Sequence, residues 1–419
     1  MQVKLAFAKT YQETAVEENN LLAVLTPNAL EQTELRGQEA VRQALEHPIG
    51  TCQVGEIVRP GESVAIITSD ITRPFPAYQV LPSLLSELES AGVLMRDITI
   101  VFALGSHRKH TEAEMRKLLG DGVYEHVRCM DHDPSDCVRM GVSSRGTPYD
   151  VFRPVAEAKR RICLGNIEYH YFAGFSGGAK AIMPGVCTRE AIQTNHSMMV
   201  RDEAYAGKLD GNPVREDIDE VLSFCPVDFI VNVVLDEHKE ILKVVCGDAI
   251  LAHREGCAFL DRLYKITIPQ RADVVLVSPG GFPKDINLYQ AQKALDNAKH
   301  AVRDGGIIVL CASCGEGLGE KVFERWMTTC PSTRFMTEEI ERHFELGGHK
   351  AAAIGMVMQK CSVFLVSDLP AEFAAKIFFT PYPSLDAAYR AAREILGEDA
   401  SVIVMPYGGS TLPQESGLA

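Results

Sequence analysis

The 419-residue chain lacks the apolar runs, the leader pattern and the positive charge that mark several classes of protein. No apolar run is long enough to cross a bilayer, so we expect no membrane span. The first residues, 1–8, are predicted to form a strand and show no signal-peptide pattern. A net charge of −14 repels nucleic acid and acidic membrane surfaces, so neither is expected as a partner.

Patterns typical of disulfides and zinc sites are also lacking, although the chain has twelve cysteines. The cysteines are scattered, and several, such as Cys163 and Cys361, lie in predicted apolar strands. We interpret them as reduced core thiols of a cytoplasmic protein. The one Cys-x-x-Cys pair, Cys311 and Cys314, has no second pair and no His-x-x-x-His nearby, which favours a strand end over a zinc site.

Neither of the common nucleotide-binding loops is present. Lys180 lies between two alanines and not in the Gly-Lys-Ser/Thr of a Walker A motif, and no Gly-x-Gly-x-x-Gly follows a predicted strand. The segment 165–196 nevertheless combines close glycines, a lysine and two histidines. Because glycine lets backbone N–H groups approach an anion closely, Gly177 and Gly178 are predicted to bind a mononucleotide phosphate.

The other side chains of this segment add reactive groups. Lys180 can pair with an anion or be modified covalently. His170 and His196 can bind a metal or move protons near neutral pH, although His196 alone fits a satisfied polar group equally well. The segment is therefore predicted to form a cofactor site.

Apolar runs of strand length alternate with amphipathic stretches, which predicts an α/β fold with two domains and mostly parallel sheets. The chain is too long for one ordinary core, and its polar stretch near residue 270 marks the boundary. We therefore predict an N-terminal domain over 1–270 and a C-terminal domain over 271–404, with residues 405–419 packing back on the first. The runs 229–235 and 241–245 are predicted to form a hairpin.

Three predicted strands of the first domain end in ionisable residues. The run 64–68 leads to Asp70 and Arg73, the run 98–103 leads to His107, and the run 161–164 leads to His170. Ligands bind at the carboxyl ends of parallel strands, so these side chains are expected at one edge of one sheet.

Each of these residues has another explanation when it is taken singly. Asp70 could cap a helix, Arg73 could be a surface residue, and His107 lies just before a capping box formed by Thr111 and Glu114. Three strand ends with ionisable groups together favour a functional site.

The second half of the chain has one comparable group of residues. Tyr289, Gln290 and Lys293 open a predicted helix after a Pro-Gly-Gly turn, and the last two share a helix face. Such a face could hold a carboxylate, although spacing alone favours an ordinary solvated surface. The stretch 351–354, after His349 and Lys350, has no aromatic residue, and if it lines a pocket it leaves room for a bulky substrate.

Several motifs together resemble the lactate racemase family, whose enzymes use a nickel-pincer nucleotide. The resemblance covers nearly the whole chain and rests on Ser69-Asp70-x-Thr72-Arg73-Pro74, Leu104-Gly105-x-His107-Arg108, His170 with Phe172–Lys180 and its spacing to His196, and Tyr289-Gln290-x-x-Lys293.

The resemblance implies two α/β domains with the active site in the cleft between them. It implies a pyridinium mononucleotide with two sulfur groups that is joined to Lys180 as a thioamide. Nickel would be held by the two sulfurs, a ring carbon and His196, and soft sulfur donors in a square plane suit Ni(II). Enzymes that build this cofactor are then expected partners.

Site roles also follow from the resemblance. His107 and His170 would be the acid/base pair, and Asp70 would be a site aspartate. Arg73 and Lys293 would contact the substrate, with Gln290 and Tyr289 beside them.

The resemblance implies a racemase or epimerase of a small 2-hydroxy acid. The α-hydrogen would leave as a hydride, a 2-keto acid would form, and the hydride would return to the other face. Two bases would be needed because mirror-image substrates present their hydroxyls in different directions. Two alternatives stay open, a zinc hydrolase that uses His107, His170 and His196, and a nucleotide carrier without catalysis.

Overall fold

The computed structural model of the chain describes residues 1–29, 36–236 and 239–416 and has 20 strands and 15 α-helices within them. The strands in chain order are β1 (Gln2–Phe7), β2 (Thr10–Ala15), β3 (Leu21–Val24), β4 (Val64–Ser69), β5 (Ile98–Ala103), β6 (Arg128–Asp131), β7 (Cys137–Val142), β8 (Pro148–Phe152), β9 (Arg160–Asn166), β10 (Tyr169–His170), β11 (Gly174–Phe175), β12 (Phe229–Leu235), β13 (Ile241–Gly247), β14 (Lys265–Ile268), β15 (Ala272–Val277), β16 (Val302–Cys311), β17 (Ser362–Val366), β18 (Thr380–Tyr382), β19 (Val402–Met405) and β20 (Leu412–Glu415).

The helices in chain order are α1 (Gly37–Glu46), α2 (Val54–Ile57), α3 (Ala77–Ser90), α4 (Glu112–Leu119), α5 (Asp121–His126), α6 (Arg153–Ala156), α7 (Arg189–Ser197), α8 (Pro213–Glu220), α9 (Leu251–Tyr264), α10 (Leu288–Ala298), α11 (Lys321–Thr329), α12 (Thr333–Arg342), α13 (Gly348–Met358), α14 (Ala371–Lys376) and α15 (Leu385–Leu396). In the described parts of the chain, no helix is both long enough and apolar enough to cross a membrane.

The chain forms two compact units. The central unit is Leu30–Asp261, and the terminal unit combines Met1–Ala29 with Arg262–Ala419. Each unit contains a six-stranded sheet in which parallel pairs predominate, so the predicted α/β class is confirmed.

The sheet of the central unit has the order β13-β12-β9-β4-β5-β6. All neighbours are parallel except β12 and β13, which form the predicted antiparallel hairpin. The inner strands are apolar on both faces because helices cover the sheet, as the almost completely buried run Val64–Ser69 illustrates. Ile66, Leu81 and Val231 meet in a hydrophobic core of this unit, which holds the strand ends in place.

The sheet of the terminal unit has the order β18-β17-β16-β15-β19-β3 and is parallel throughout. Its edge strand β3 comes from the beginning of the chain, and Leu5 and Phe7 of β1 pack in the same core as Val274 and Val404.

The chain is therefore divided differently from the prediction of one domain over 1–270. The first 29 residues fold with the terminal unit, because β3 pairs with β19 and the apolar face of β1 is buried there. The units separate between Asp261 and Arg262, close to the predicted boundary. The tail strand β20 pairs with β14, and both strands belong to the terminal unit.

Candidate active site

Two adjacent parallel strands bring the first pair of predicted residues together. Ser69 at the end of β4 is level with Ala103 at the end of β5, and the loops that follow carry Asp70 and His107. His107 Nδ1 lies 2.7 Å from Asp70 Oδ2. The expectation that strand polarity gathers these side chains at one sheet edge therefore holds for this pair.

Asp70 is buried, and its surroundings hold it as a carboxylate. Burial by itself would raise the pKa of Asp70, but the hydrogen bond and charge of His107, the Thr72 hydroxyl and the charge of Arg73 together lower it. An ionised Asp70 accepts the Nδ1 proton of His107, which leaves the lone pair of neutral His107 on Nε2. His107 is half-buried, so this nitrogen is a base that a small molecule can reach.

A second histidine, His110, fixes the loop that carries Asp70. Its Nδ1 lies 2.6 Å from Asp131 Oδ1, and its Nε2 accepts the backbone N–H of Ile71 at 3.0 Å. The ring is buried beside Phe102. Sequence reasoning missed His110, and its spacing of three residues from His107 was the only available signal.

Arg73 follows Asp70 and is paired with a carboxylate. Its Nη1 donates to Glu168 Oε1 at 3.2 Å, and both side chains are about one third exposed. Glu168 lies between β9 and β10, two residues before His170. Sequence reasoning noted neither Glu168 nor this pairing.

His170 lies on the short hairpin formed by β10 and β11, which follows β9. The backbone N–H of Ala173 donates to His170 Nδ1 at 3.3 Å, so neutral His170 carries its proton on Nε2. The ring of Phe172 contacts the rings of both His170 and His196, at centroid distances of 4.5 and 4.9 Å. The structure therefore brings these two predicted histidines to the same aromatic side chain.

His196 is buried near the end of α7, and its tautomer is set by Asn195. Asn195 Nδ2 donates to Asp217 Oδ2 at 2.7 Å and to the Val214 carbonyl, which leaves Asn195 Oδ1 as the acceptor for His196 Nδ1–H at 2.8 Å. The lone pair of neutral His196 is then on Nε2. A fixed Nδ1–H is the usual arrangement of a histidine that binds a metal through Nε2.

Lys180 lies on a single helical turn, Gly178–Ala181, and is half-buried. Burial, followed by the charges of Arg73 and Arg215, lowers the pKa of its amine well below the ordinary value, while Glu168 acts in the opposite direction. In the part of the chain that the structure describes, the amine has no hydrogen-bond partner. A neutral amine is a nucleophile, which fits the predicted covalent attachment.

The glycines of this loop also have a packing role. Gly177 and Gly178 have φ values of 77° and 59°, and a Cβ atom would lie 2.8 Å from Asn232 Oδ1 at Gly177 and 2.9 Å from the His253 ring at Gly178. The Gly178 N–H donates to Asn232 Oδ1 at 2.8 Å. Phosphate binding at these two glycines therefore stays a prediction, and in this structure the Gly178 donor is used within the protein.

Arg215 and His253 hold the glycine loop in place through hydrogen bonds to its backbone, and sequence reasoning missed both. Arg215 is fully buried, is paired with Asp219 at 2.8 Å, and donates to the Phe175 carbonyl. His253 Nε2 donates to the Ser176 carbonyl at 2.8 Å, and burial lowers the pKa of this ring well below its usual value. These contacts fix the backbone that leads into Gly177.

The remaining predicted residues lie in the terminal unit. Tyr289, Gln290 and Lys293 are in the first turns of α10, and Gln290 and Lys293 are exposed on one face. Lys350 Nζ donates to the Tyr289 carbonyl at 2.6 Å and lies 3.8 Å from the centroid of the Tyr289 ring. Residues 351–354 are buried in α13, and that they line a substrate pocket stays a prediction.

The described residues give no support to the zinc alternatives. Within residues 1–29, 36–236 and 239–416, no group of three or more His, Cys, Asp or Glu side chains is arranged to hold a metal ion. Cys311 and Cys314 are buried thiols, and burial raises the pKa of Cys314 to about 12. The pair therefore behaves as core thiols, as the sequence indicates.

Known proteins similar to this chain agree with the motif resemblance. The family model described as the lactate racemase N-terminal domain matches residues 7–207, and that of the lactate racemase C-terminal domain matches residues 268–412. The chain is 31% identical over 388 residues to a lactate racemase of Thermoanaerobacterium thermosaccharolyticum, covering 90% of this chain and 91% of that protein. It is 31% identical over 402 residues to a lactate racemase of Lactiplantibacillus plantarum, covering 94% of each.

Solved structures give the same result. The lactate racemase apoprotein of Thermoanaerobacterium thermosaccharolyticum superposes with a TM-score of 0.88 at 29% identity, over 99% of this chain and 100% of that one. A protein from Thermotoga maritima superposes with a TM-score of 0.63 at 19% identity, over 93% of this chain and 100% of that one, which shows a shared fold alone.

Proposed function

The chain belongs to the lactate racemase family and is an isomerase, and we propose that it racemises or epimerises a 2-hydroxy carboxylic acid. The observation that carries this proposal is the 2.7 Å contact between Asp70 and His107. It provides an oriented base at the sheet edge that also carries Arg73.

We assign His107 as the base for the substrate hydroxyl. The buried carboxylate of Asp70 holds the Nδ1 proton and stabilises the imidazolium that forms when Nε2 takes up a proton. Thr72 donates its hydroxyl to Asp70 Oδ1 at 2.8 Å and so fixes the carboxylate.

His170 is the complementary group. With Nδ1 accepting the Ala173 N–H, neutral His170 presents its Nε2–H as a hydrogen-bond donor to a carbonyl oxygen. To transfer a proton to that oxygen, His170 must first be the imidazolium, and it returns to the neutral ring when the proton leaves. One histidine is therefore a base while the other is an acid. The two roles exchange when the substrate has the opposite hand, which is what a racemase requires.

Arg73 is the proposed carboxylate ligand. Its guanidinium can bind a carboxylate through two parallel N–H groups, which orients a small acid more firmly than a single contact. Lys293, Gln290 and Tyr289 of the terminal unit are proposed to complete substrate binding, and the placement of the site in a cleft between domains stays a prediction.

The residues present fit a nickel-pincer nucleotide. Lys180 offers an amine of lowered pKa for the thioamide bond, and His196 offers its Nε2 lone pair to nickel. When it is bound, the pyridinium nucleotide supplies a reversible hydride acceptor, so the α-hydrogen of the substrate need not leave as a proton. Loading would depend on the cofactor-building enzymes, which we propose as partners in the cytoplasm.

A chirality screen tests the proposal. Cofactor-loaded protein is incubated with single enantiomers of 2-hydroxy acids, and the opposite enantiomer or epimer is measured by chiral chromatography. The expected result is racemisation or epimerisation by the wild type, and loss of at least about 100-fold of the activity in His107→Ala with nickel retained. His196→Ala is expected to lose nickel. Nickel-loaded wild type that leaves every 2-hydroxy acid unchanged would contradict the proposed function.

A further inference from the structure

A carboxylate stands beside the arginine proposed to bind the substrate. Glu168 Oε1 accepts from Arg73 Nη1 at 3.2 Å, and each side chain is about one third exposed. A partly exposed ion pair with a single contact adds little to stability, so the effect of Glu168 on the charge of the site is the larger consequence.

The backbone holds Glu168 in place. Its N–H donates to Ser176 Oγ at 2.9 Å, and its carbonyl accepts the Ser176 N–H at 2.9 Å. The Ser176 carbonyl is fixed in turn by the buried ring of His253. The backbone of Glu168 is therefore fixed to the glycine loop, and its side chain extends from there to Arg73.

Only one edge of the Arg73 guanidinium is used by Glu168. Among the described residues, Nη1 alone makes a side-chain hydrogen bond, and a guanidinium has five N–H donors. The unused donors can bind one carboxylate while Glu168 stays in contact. The charge of Glu168 also reaches the loop, because it raises the pKa of Lys180 against the stronger effects of burial, Arg73 and Arg215.

We propose that Glu168 is a specificity-determining residue that selects 2-hydroxy acids with a single carboxylate over those with two. The proposal rests on the proposed function. Arg73 can balance one carboxylate of the substrate, but a second carboxylate near this arginine meets the negative charge of Glu168. Like charges brought together in a partly buried site oppose binding, so dicarboxylic acids are disfavoured.

Two substitutions separate charge from shape. Glu168→Gln keeps an oxygen that can accept from Arg73 but removes the charge, and Glu168→Asp keeps the charge on a shorter side chain. Glu89→Gln is the matched control, since it removes one exposed carboxylate in the last turn of α3, whose first turn follows the carboxyl end of β4.

The measurement is made on cofactor-loaded wild type and the three variants. For each protein, kcat/KM is determined for lactate and for malate, and the binding of both acids is measured by calorimetry. In Glu168→Gln the malate-to-lactate ratio is expected to rise roughly tenfold, with lactate changed by less than about threefold. In Glu168→Asp and Glu89→Gln the ratio is expected to stay within about twofold of the wild type.

The outcomes distinguish this inference from the proposed function. A ratio that does not change in Glu168→Gln, or that rises equally in Glu89→Gln, overturns the role of Glu168 while racemisation by the wild type still stands. If the loaded wild type racemises neither acid, the proposed function fails for both acids. The malate-to-lactate ratio of binding affinities, measured by calorimetry, then decides whether Glu168 selects by charge.

Discussion

The most informative residue of the site is Lys180, because its chemistry depends on its surroundings more than on its identity. The sequence predicts a reactive lysine from its place beside two glycines. Only the fold shows that burial and the charge of Arg215, which is 35 positions away in the sequence, lower the pKa of the amine. Glu168 is similar, since its pairing with Arg73 joins residues that are distant in the sequence.

The lowered pKa of Lys180 predicts its behaviour in the apoprotein. An amine whose pKa is depressed is neutral at pH values where an ordinary lysine is cationic, so its reactivity toward an acylating reagent is already high near neutral pH. Between pH 7.5 and pH 9.5 the acylation rate of Lys180 is expected to rise much less than that of an ordinary lysine, which rises about 100-fold.

Competitive acetylation followed by peptide mass spectrometry measures these rates, with the exposed Lys117 as the reference in the same sample. A Lys180 rate that rises in parallel with that of Lys117 would contradict a lowered pKa of Lys180.

At the scale of elements, the loops after the strands depend on contacts that no local pattern reveals. The apolar runs predict most strands of both sheets well, because a parallel strand buried on both faces needs a continuous apolar stretch. The amphipathic pattern over 288–303 predicts one helix, but α10 ends at Ala298, since β16 begins at Val302 and continues the sheet. The apolar run 377–380 predicts a strand at those residues, but β18 covers Thr380–Tyr382.

His110 lies in the loop after β5 and contacts Ile71 after β4 and Asp131 at the end of β6. Removing its side chain therefore gives a prediction for these elements. His110→Ala leaves the Ile71 N–H and the Asp131 carboxylate without this partner in a buried place. The free energy of unfolding is expected to fall by about 2–3 kcal/mol, and racemisation is expected to weaken because the loop that carries Asp70 loses its anchor.

Urea unfolding followed by circular dichroism measures the loss. His126→Ala is the matched control, because His126 is exposed on α5, and its cost is expected to be under about 0.5 kcal/mol. Equal losses of unfolding free energy in the two variants would contradict the anchoring role of His110.

For the whole molecule, alternation of strands and helices predicts two α/β domains, but not which parts of the chain form each one. Residues 1–8 predict a strand, but no local pattern indicates that the beginning of the chain joins the sheet of the terminal unit. That choice is made by the pairing of β3 with β19 and by the burial of Leu5 and Phe7 in the terminal core. Long-range pairing of this kind depends on the complete fold.

The central claim, that the α-hydrogen moves as a hydride while His107 and His170 manage the hydroxyl proton, is tested most directly by isotope retention. Cofactor-loaded enzyme is given one enantiomer of a 2-hydroxy acid that it turns over, with deuterium at the α-carbon, in ordinary water. The product of opposite configuration is then analysed by mass spectrometry. The account predicts that most of this product retains deuterium, and exchange of deuterium for solvent hydrogen at the rate of racemisation would contradict it.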